Sequence, residues 1–455
     1  MTDLFQAFAL WRTRLRSTER ASRAEVLALQ SRRLAELLEH AALRSPLYRR
    51  RWTGRTPTPE SFGQLEPIDK ETLLSRGFDE ALTSRGLSLA RARTILSAKA
   101  PRQRGKYVVV TTSGTTGQPA VFPYSRREWR EGMAYTLRNG SWAGWGLQSD
   151  GPVPLSLPRR PRVAGLGTLN PIHVSTQLAA SFRTGLIPDL TLPAGLPLPS
   201  QLKALDEFRP LVLGGYPSAI GPLAEASLSG TLSIRPRLVF TGGETVTPGL
   251  RSRVQAAWGL ELFDYYGTTE MIAIAGECPL HNGLHVHEDA VVLEVVDENG
   301  APVPPGRPGT GVLITSLLAR TLPVIRYAVS DVVTLSDEPC PCGLPFRRVV
   351  SIQGRREERF PLRTVAGEAV LVHPFVLESA LEELGGVRRF QLRPDGRGGV
   401  RVLVAGADLD PAMIRDALEK ELAPAEIDPG ALEVEAVEDL EVPRGPTDKV
   451  LRPRG

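Results

Sequence analysis

The sequence predicts an α/β protein in which a large N-terminal domain of α/β sheets with an antiparallel β subdomain precedes a small C-terminal α+β domain. Three observations carry this. Apolar, strand-like runs end repeatedly in glycine-rich turns, at Tyr107–Pro119, Pro210–Gly215, Pro236–Gly243 and Leu260–Gly267, the pattern that open sheets show at the carboxyl ends of their strands. The 455 residues exceed one ordinary core. After Gly354 the texture changes to a compact alternation of helix and strand, and about 100 residues suffice for a separate unit. The expected division is therefore 1–354 and 355–455, the second acting as a mobile lid.

Taken in order, Leu27, Leu34, Leu37, Leu38 and Ala41 recur at helical spacing, which predicts an amphipathic helix over 22–44. Val108 to Val110 predict a buried strand. From 152 to 200 the chain is rich in proline and weak in periodicity, so loops and short elements are expected. Strands are expected in each of the turn-terminated runs between 210 and 270, and antiparallel strands over 290–318 around Glu298-Asn-Gly300. In the last hundred residues His373 to Leu384 predicts a helix, Val387 to Leu392 and Val400 to Val404 predict strands, and Asp410-Pro411 caps a helix to about Leu422.

The formal charge is +4, from 55 basic and 51 acidic residues that are interspersed. No Lys/Arg block marks a nucleic-acid tail, so nucleic acid is not an expected partner. No stretch has the roughly 18 uninterrupted apolar residues of a membrane span, and the acidic Met1–Trp11 segment does not read as a secretory signal. A cytoplasmic location with no membrane partner is expected, and three cysteines there suggest a metal site or free thiols rather than a disulfide framework.

The hydroxyls and glycines of Thr112, Ser113, Gly114, Thr115, Thr116 and Gly117 form a turn suited to polyphosphate, since backbone N–H groups and hydroxyls are what anions select. It is not the Walker loop, because no lysine follows the second glycine. Three further segments follow in order: Tyr266-Gly-Thr-Thr-Glu270, Arg326-Tyr-Ala-Val-Ser-Asp331 leading to Gly354-Arg355, and Pro443-Arg-Gly-Pro-Thr-Asp-Lys449. Together these resemble the motifs of the adenylate-forming (acyl-AMP) ligases, most closely the phenylacetate-CoA ligase branch, over nearly the whole chain. Ser330, Glu357 and Asp448 depart from the residues that relatives often carry.

The resemblance implies an ATP-dependent carboxylic acid–CoA ligase that forms an acyl-adenylate and then a thioester, on an aryl or arylacetic acid. ATP, Mg²⁺, coenzyme A and a small carboxylic acid are the implied cofactors and partners, and a homodimer is compatible with it. Other acceptors open to the same motif order are an amine, a carrier-protein thiol or a protein cysteine; a non-catalytic nucleotide-binding descendant is a further alternative. By resemblance, Lys449 bridges the acid and the α-phosphate, Thr269 touches that phosphate, and Glu270 ligates Mg²⁺. Gly242, Gly243, Glu244, Asp264, Tyr265, Tyr266, Gly267 and Thr268 surround the nucleotide, Asp331 accepts from the ribose hydroxyls, and Arg355 contacts the nucleotide at the hinge.

All three cysteines and three of the six histidines fall in two clusters, Cys278 to His287 and Cys340-Pro-Cys342. Three thiolates and one imidazole make a closed tetrahedral zinc set. Members of the branch look similar, and the Gly-Leu-His triplet selects His285 beside Cys278, Cys340 and Cys342, with His281 and His287 as competing ligands. A filled ligand shell implies structural Zn²⁺ rather than catalysis.

Overall fold

The computed structural model describes residues 2–73, 77–112, 119–146, 153–154, 161–384, 386–406, 409–438 and 440. Near the N-terminus, α1 (Thr2–Leu10) leads towards α2 (Arg23–Arg44), whose start is fixed by a capping box between Ser22 and Glu25. The expected helix over 22–44 thus has its boundaries set by local chemistry. Strand β1 (Tyr107–Thr111) is wholly buried and pairs antiparallel with β2 (Val121–Ser125). A second capping box, Ser125 with Glu128, starts α3 (Arg126–Trp142). Glu128 also accepts from the backbone N–H groups of Arg320 and Thr321, at 2.5 and 2.7 Å, so one buried carboxylate joins α3 to a distant loop.

The region expected to hold loops and short elements shows, where it is described, a series of short elements. It contains β3 (Val163–Gly167), α4 (Val174–Phe182), β4 (Asp189–Pro193) and α5 (Leu198–Phe208). The strands β5 (Val212–Gly215), β6 (Leu238–Gly242) and β7 (Leu262–Tyr266) follow, separated by α6 (Pro217–Leu228) and α7 (Pro248–Trp258). Strands β4, β3, β5, β6 and β7 lie side by side and parallel. Val163-Ala-Gly-Leu-Gly167 carries two glycines and little intrinsic strand preference; its neighbours on both sides make it a strand.

The sheet continues antiparallel through β8 (Ala275–Glu277) and β9 (Leu284–Val286). A separate antiparallel sheet follows, of β10 (Val291–Val296), β11 (Gly311–Ser316) and β12 (Tyr327–Val329), in keeping with the pattern read over 290–318. Strands β13 (Asp331–Ser336) and β14 (Arg348–Arg355) then complete the large sheet, whose nine-strand order is β13-β14-β9-β8-β7-β6-β5-β3-β4.

Beyond β14, residues 360–432 close their own apolar core. It is built from the hairpin β15 (Phe360–Arg363) with β16 (Ala369–Val372), the helices α8 (Pro374–Glu383) and α9 (Pro411–Leu422), and a sheet of β17 (Val387–Pro394), β18 (Val400–Gly406) and β19 (Leu432–Val437). Asp410 caps α9 through the backbone N–H of Ala412, with Pro411 at the first helical position. The Pro443–Lys449 segment lies outside the described residues, as does 113–118.

Candidate active site and metal-ligand cluster

A cleft of about 1230 Å³ opens where β5, β6 and β7 end, the edge at which open α/β sheets place their ligands. Of the residues singled out in the sequence, Thr112, Gly242, Gly243, Glu244, Asp264, Tyr265, Tyr266, Gly267, Thr268, Thr269, Glu270, Asp331 and Arg355 all line it. Ser113, Gly114, Thr115, Thr116, Gly117 and Lys449 lie outside the described residues. Thr112 is tied to Ala120 by a backbone bond and by its own hydroxyl, both at 3.0 Å, which brings together the chain on either side of 113–118.

The Tyr266–Glu270 turn is held from several directions. Gly267 permits it, because a Cβ there would lie 2.2 Å from the carbonyl oxygen of Ile272. The Tyr124 hydroxyl donates to the carbonyl oxygen of Thr269 at 2.5 Å. Glu270 is buried, and burial raises its pKa, opposed by its own backbone, the Thr268 hydroxyl and Arg355. Tyr327 lies beside this carboxylate and lines the cleft with it. A buried carboxyl so placed favours its anion only beside added positive charge, which fits a hard divalent cation.

Tyr266 donates its hydroxyl to Asp331 Oδ2 at 2.6 Å, and the half-exposed Arg355 brings Nε to 3.4 Å from Asp331 Oδ1. One carboxylate therefore links the turn after β7 to the end of β14. Tyr265 lines the cleft and stacks on Phe240, with ring centroids 5.7 Å apart and planes inclined by 30°. Asp264 is pushed up to about 7, first by burial and then by Glu277, with Arg251 opposing. Glu244 is oriented by Ser218, which donates from its backbone at 2.9 Å and from its hydroxyl at 3.1 Å.

Two features were not read from the sequence. Arg326 does not reach the cleft; it is buried, with φ of 46°, and pairs with Glu294 at 3.0 and 3.1 Å. Its backbone and that of Ala328 instead clasp Ile68, through Ile68 N–H to Arg326 O at 3.0 Å and Ala328 N–H to Ile68 O at 2.7 Å. That stitching brings Lys70 into the cleft, where burial and Arg355 lower its pKa against the pull of Glu270. The scarcity of lysine in an arginine-rich chain was the available signal. His173 and Tyr216 also line the cleft.

On the β8–β9 side, Cys278, His285, Cys340 and Cys342 bring one donor atom each to within 4.8 Å of one another. Cys278 and Cys340 Sγ are 3.9 Å apart, and Cys342 Sγ is 3.3 Å from His285 Nε2. A tetrahedral ion with bonds of about 2.3 Å spaces its sulfurs about 3.8 Å apart, close to the 3.9 Å between Cys278 and Cys340, so the donor set suits zinc. Burial holds His285 down to about 4, leaving a neutral imidazole, while burial and the adjacent thiols push Cys342 up to about 12. Crowded thiols gain by ionising only around a cation. His285 Nδ1 approaches the backbone of Phe346 without completing a hydrogen bond. His281 is elsewhere, 3.1 Å from Glu277, and His287 is buried beside Arg138 and Asn139.

A fold of this kind, with a nucleotide-sized cleft at the strand ends and a four-donor cluster behind it, defines a class of enzyme that the comparisons identify. The AMP-binding enzyme family matches residues 26–316, and the chain belongs to that family, the adenylate-forming ligases, within their phenylacetate-CoA ligase-like branch. A phenylacetate-coenzyme A ligase of Thermus thermophilus is 27% identical over 377 residues, covering 80% of this chain and 76% of that protein. A phenylacetate-coenzyme A ligase of Escherichia coli is 26% identical over 414 residues, covering 87% and 85%. In fold, a 2-hydroxyisobutyryl-CoA ligase in its postadenylation state superposes with a TM-score of 0.71 at 20% identity, covering 94% of this chain and 89% of the other. Among the described residues no helix is long and apolar enough to cross a membrane.

Proposed function

We propose that this protein is an ATP-dependent carboxylic acid–CoA ligase that acts on an aryl or arylacetic acid in the cytoplasm. The observation that carries the reading is the cleft itself, which gathers the residues of the Tyr266–Glu270 turn, Asp331 and Arg355 around one space. The relatives named as phenylacetate-coenzyme A ligases support the acid and the thiol acceptor.

In the first half-reaction a carboxylate oxygen of the acid attacks the α-phosphorus of ATP, and pyrophosphate leaves. Two anions must be held together while charge develops, so positioning and cationic stabilisation supply most of the catalysis. Thr112 and residues 113–117 hold the β- and γ-phosphates, Thr269 the α-phosphate, and Lys449 the acid together with that phosphate. Lys70 adds a second ammonium at the phosphate side, next to Glu270 and Arg355. Gly242, Gly243, Glu244, Asp264, Tyr265 and Tyr266 enclose adenine, and Asp331 accepts from the ribose hydroxyls. Glu270 would hold Mg²⁺, which when bound neutralises phosphate charge. In the second half-reaction the thiol of coenzyme A attacks the acyl carbonyl and AMP leaves. Residues 355–455 form the lid, pivoting where Gly354, with φ of 118°, meets Arg355. Cys278, His285, Cys340 and Cys342 would hold a structural zinc whose closed shell leaves no position for substrate.

A carboxylate panel with ATP, Mg²⁺ and hydroxylamine tests this, followed by the best acid with and without coenzyme A. Aryl or arylacetic hydroxamates and a coenzyme A thioester are expected. Hydroxamate without thioester would remove the coenzyme A assignment, and no hydroxamate from any acid would remove the ligase reading.

A further inference from the structure

Helix α3 presents Thr136 and Asn139, one turn apart, to the cleft. Asn139 is 3% exposed and sits under Gly276 of β8, where an added Cβ would meet its carboxamide oxygen at 2.3 Å. Gly276 pairs with Tyr265 of β7. The carboxamide therefore lies where β8 pairs with Tyr265, two residues before the 267–270 turn that would hold the reacting groups.

Its orientation follows from the neighbours. Asn139 Oδ1 is 2.8 Å from His287 Nε2, and His287 Nδ1 is 3.4 Å from Arg138 Nη1. A guanidinium only donates, so Nδ1 faces it as an acceptor and the imidazole proton is on Nε2. That proton is donated to Oδ1, which fixes the carboxamide with its nitrogen on the other side. Arg138 is itself immobile, fully buried and held by both oxygens of Asp289 at 2.8 and 2.9 Å. The Asn139 amide nitrogen has no hydrogen-bond partner among the described residues and is not sealed from the cleft.

The geometry points to Asn139 as a specificity-determining residue whose N–H group selects a carboxylic acid bearing a hydrogen-bond-accepting oxygen on the part of the molecule away from the reacting carboxylate. This rests on the acid-ligase reading above. A site built to donate such a bond leaves its own N–H unpaired when the acceptor is missing, and so discriminates more strongly than an apolar wall does.

The test compares kcat/KM in ATP–pyrophosphate exchange for methoxy- or acetyl-substituted arylacetic acids against alkyl isosteres of the same size. The natural protein is expected to favour the oxygen-bearing acid by about tenfold or more. In Asn139→Ala the ratio falls towards unity. In Asn139→Asp, which keeps an acceptor for His287 but turns an anionic acceptor to the cleft, it inverts. Because each ratio is taken within one variant, loss of folded protein does not mimic the result. Acids that are activated without preference, or an unchanged ratio in Asn139→Ala, overturn this inference alone; exchange with no acid at all overturns the ligase reading and this inference with it.

Discussion

Replacing Asp331 by asparagine isolates the link between the Tyr266 turn and the end of β14. In the structure Asp331 Oδ2 accepts from Tyr266 at 2.6 Å and Oδ1 lies 3.4 Å from Arg355 Nε. Each carboxylate oxygen has a second lone-pair direction, which leaves one acceptor site on each oxygen for a ribose hydroxyl. A charge-assisted hydrogen bond contributes about 1.5–3 kcal/mol. Asparagine keeps one neutral acceptor and turns the other position into a donor, so one such bond is lost and the other weakened. The expected cost is roughly 2–4 kcal/mol, or about 30- to 700-fold in kcat/KM for ATP. Pyrophosphate exchange at fixed acid and varied nucleotide measures it, with ATP compared against its 2′,3′-dideoxy analogue. The natural protein should lose a comparable factor on the analogue, whereas Asp331→Asn should lose less than about threefold further, since the bonds are already gone. A variant that still discriminates the two nucleotides as strongly as the natural protein would refute the ribose assignment.

Three other outcomes are expected. Lys449→Ala should abolish acyl-adenylate formation while still converting a supplied acyl-adenylate to thioester; equal loss in both half-reactions would contradict the division of labour. Metal analysis should find about one zinc per chain, and Cys340→Ser should lose it together with several degrees of Tm; zinc-free protein with unaltered stability would reject the cluster as a metal site. Asp289→Asn should cost up to about 3–5 kcal/mol at neutral pH, because it leaves the fully buried Arg138 only Glu19, 3.3 Å away, as counter-charge. Arg138, followed by hydrogen bonds from it and from Thr18, overcomes burial and holds the Asp289 carboxyl down to about 2. Its depressed pKa means that this stability is present above the unfolded value near 4 and lost as pH falls towards about 2. The Tm gap between the two proteins should therefore narrow below about pH 4, and a constant gap would argue against the ion pair as its source.

What could be read from the sequence, and what could not, divides along physical lines. Strands ending in glycine turns, and helices starting at Ser22 or Asp410, are specified by residues within a few positions, and they occur close to where they were expected. Strand β3 was not legible because Val163-Ala-Gly-Leu-Gly167 is a strand only by virtue of β4 and β5 beside it. The choice among His281, His285 and His287 was open for a related reason. Spacing alone allows each, but the pairing of His285 with Arg348 sets it across from the loop that carries Cys340 and Cys342. Lys70 and Asn139 were given no role because nothing local to either residue points to the cleft. One reaches the cleft through backbone bonds to residues 326–328, the other through a helix face whose partner is a glycine over 130 residues later.

The metal-ligand cluster and the cleft are not independent, because β8 separates them by so little chain. Gly276 packs on Asn139, Glu277 accepts the backbone N–H of Asp264 at 3.0 Å and the guanidinium of Arg251 at 2.5 Å, and Cys278 follows immediately as a donor of the cluster. Each of these residues is buried or in a fixed pairing, so the strand has no slack in which to absorb a displacement of Cys278. Trp142, at the end of the helix that carries Asn139, packs edge-on against His285 with ring centroids 5.8 Å apart, closing the same loop from the other side. A metal that takes no part in bond-making would thus still set the floor on which the acid and the nucleotide rest. Its removal should accordingly raise KM for the acid as well as lower Tm, an effect that a remote stabilising site would not produce.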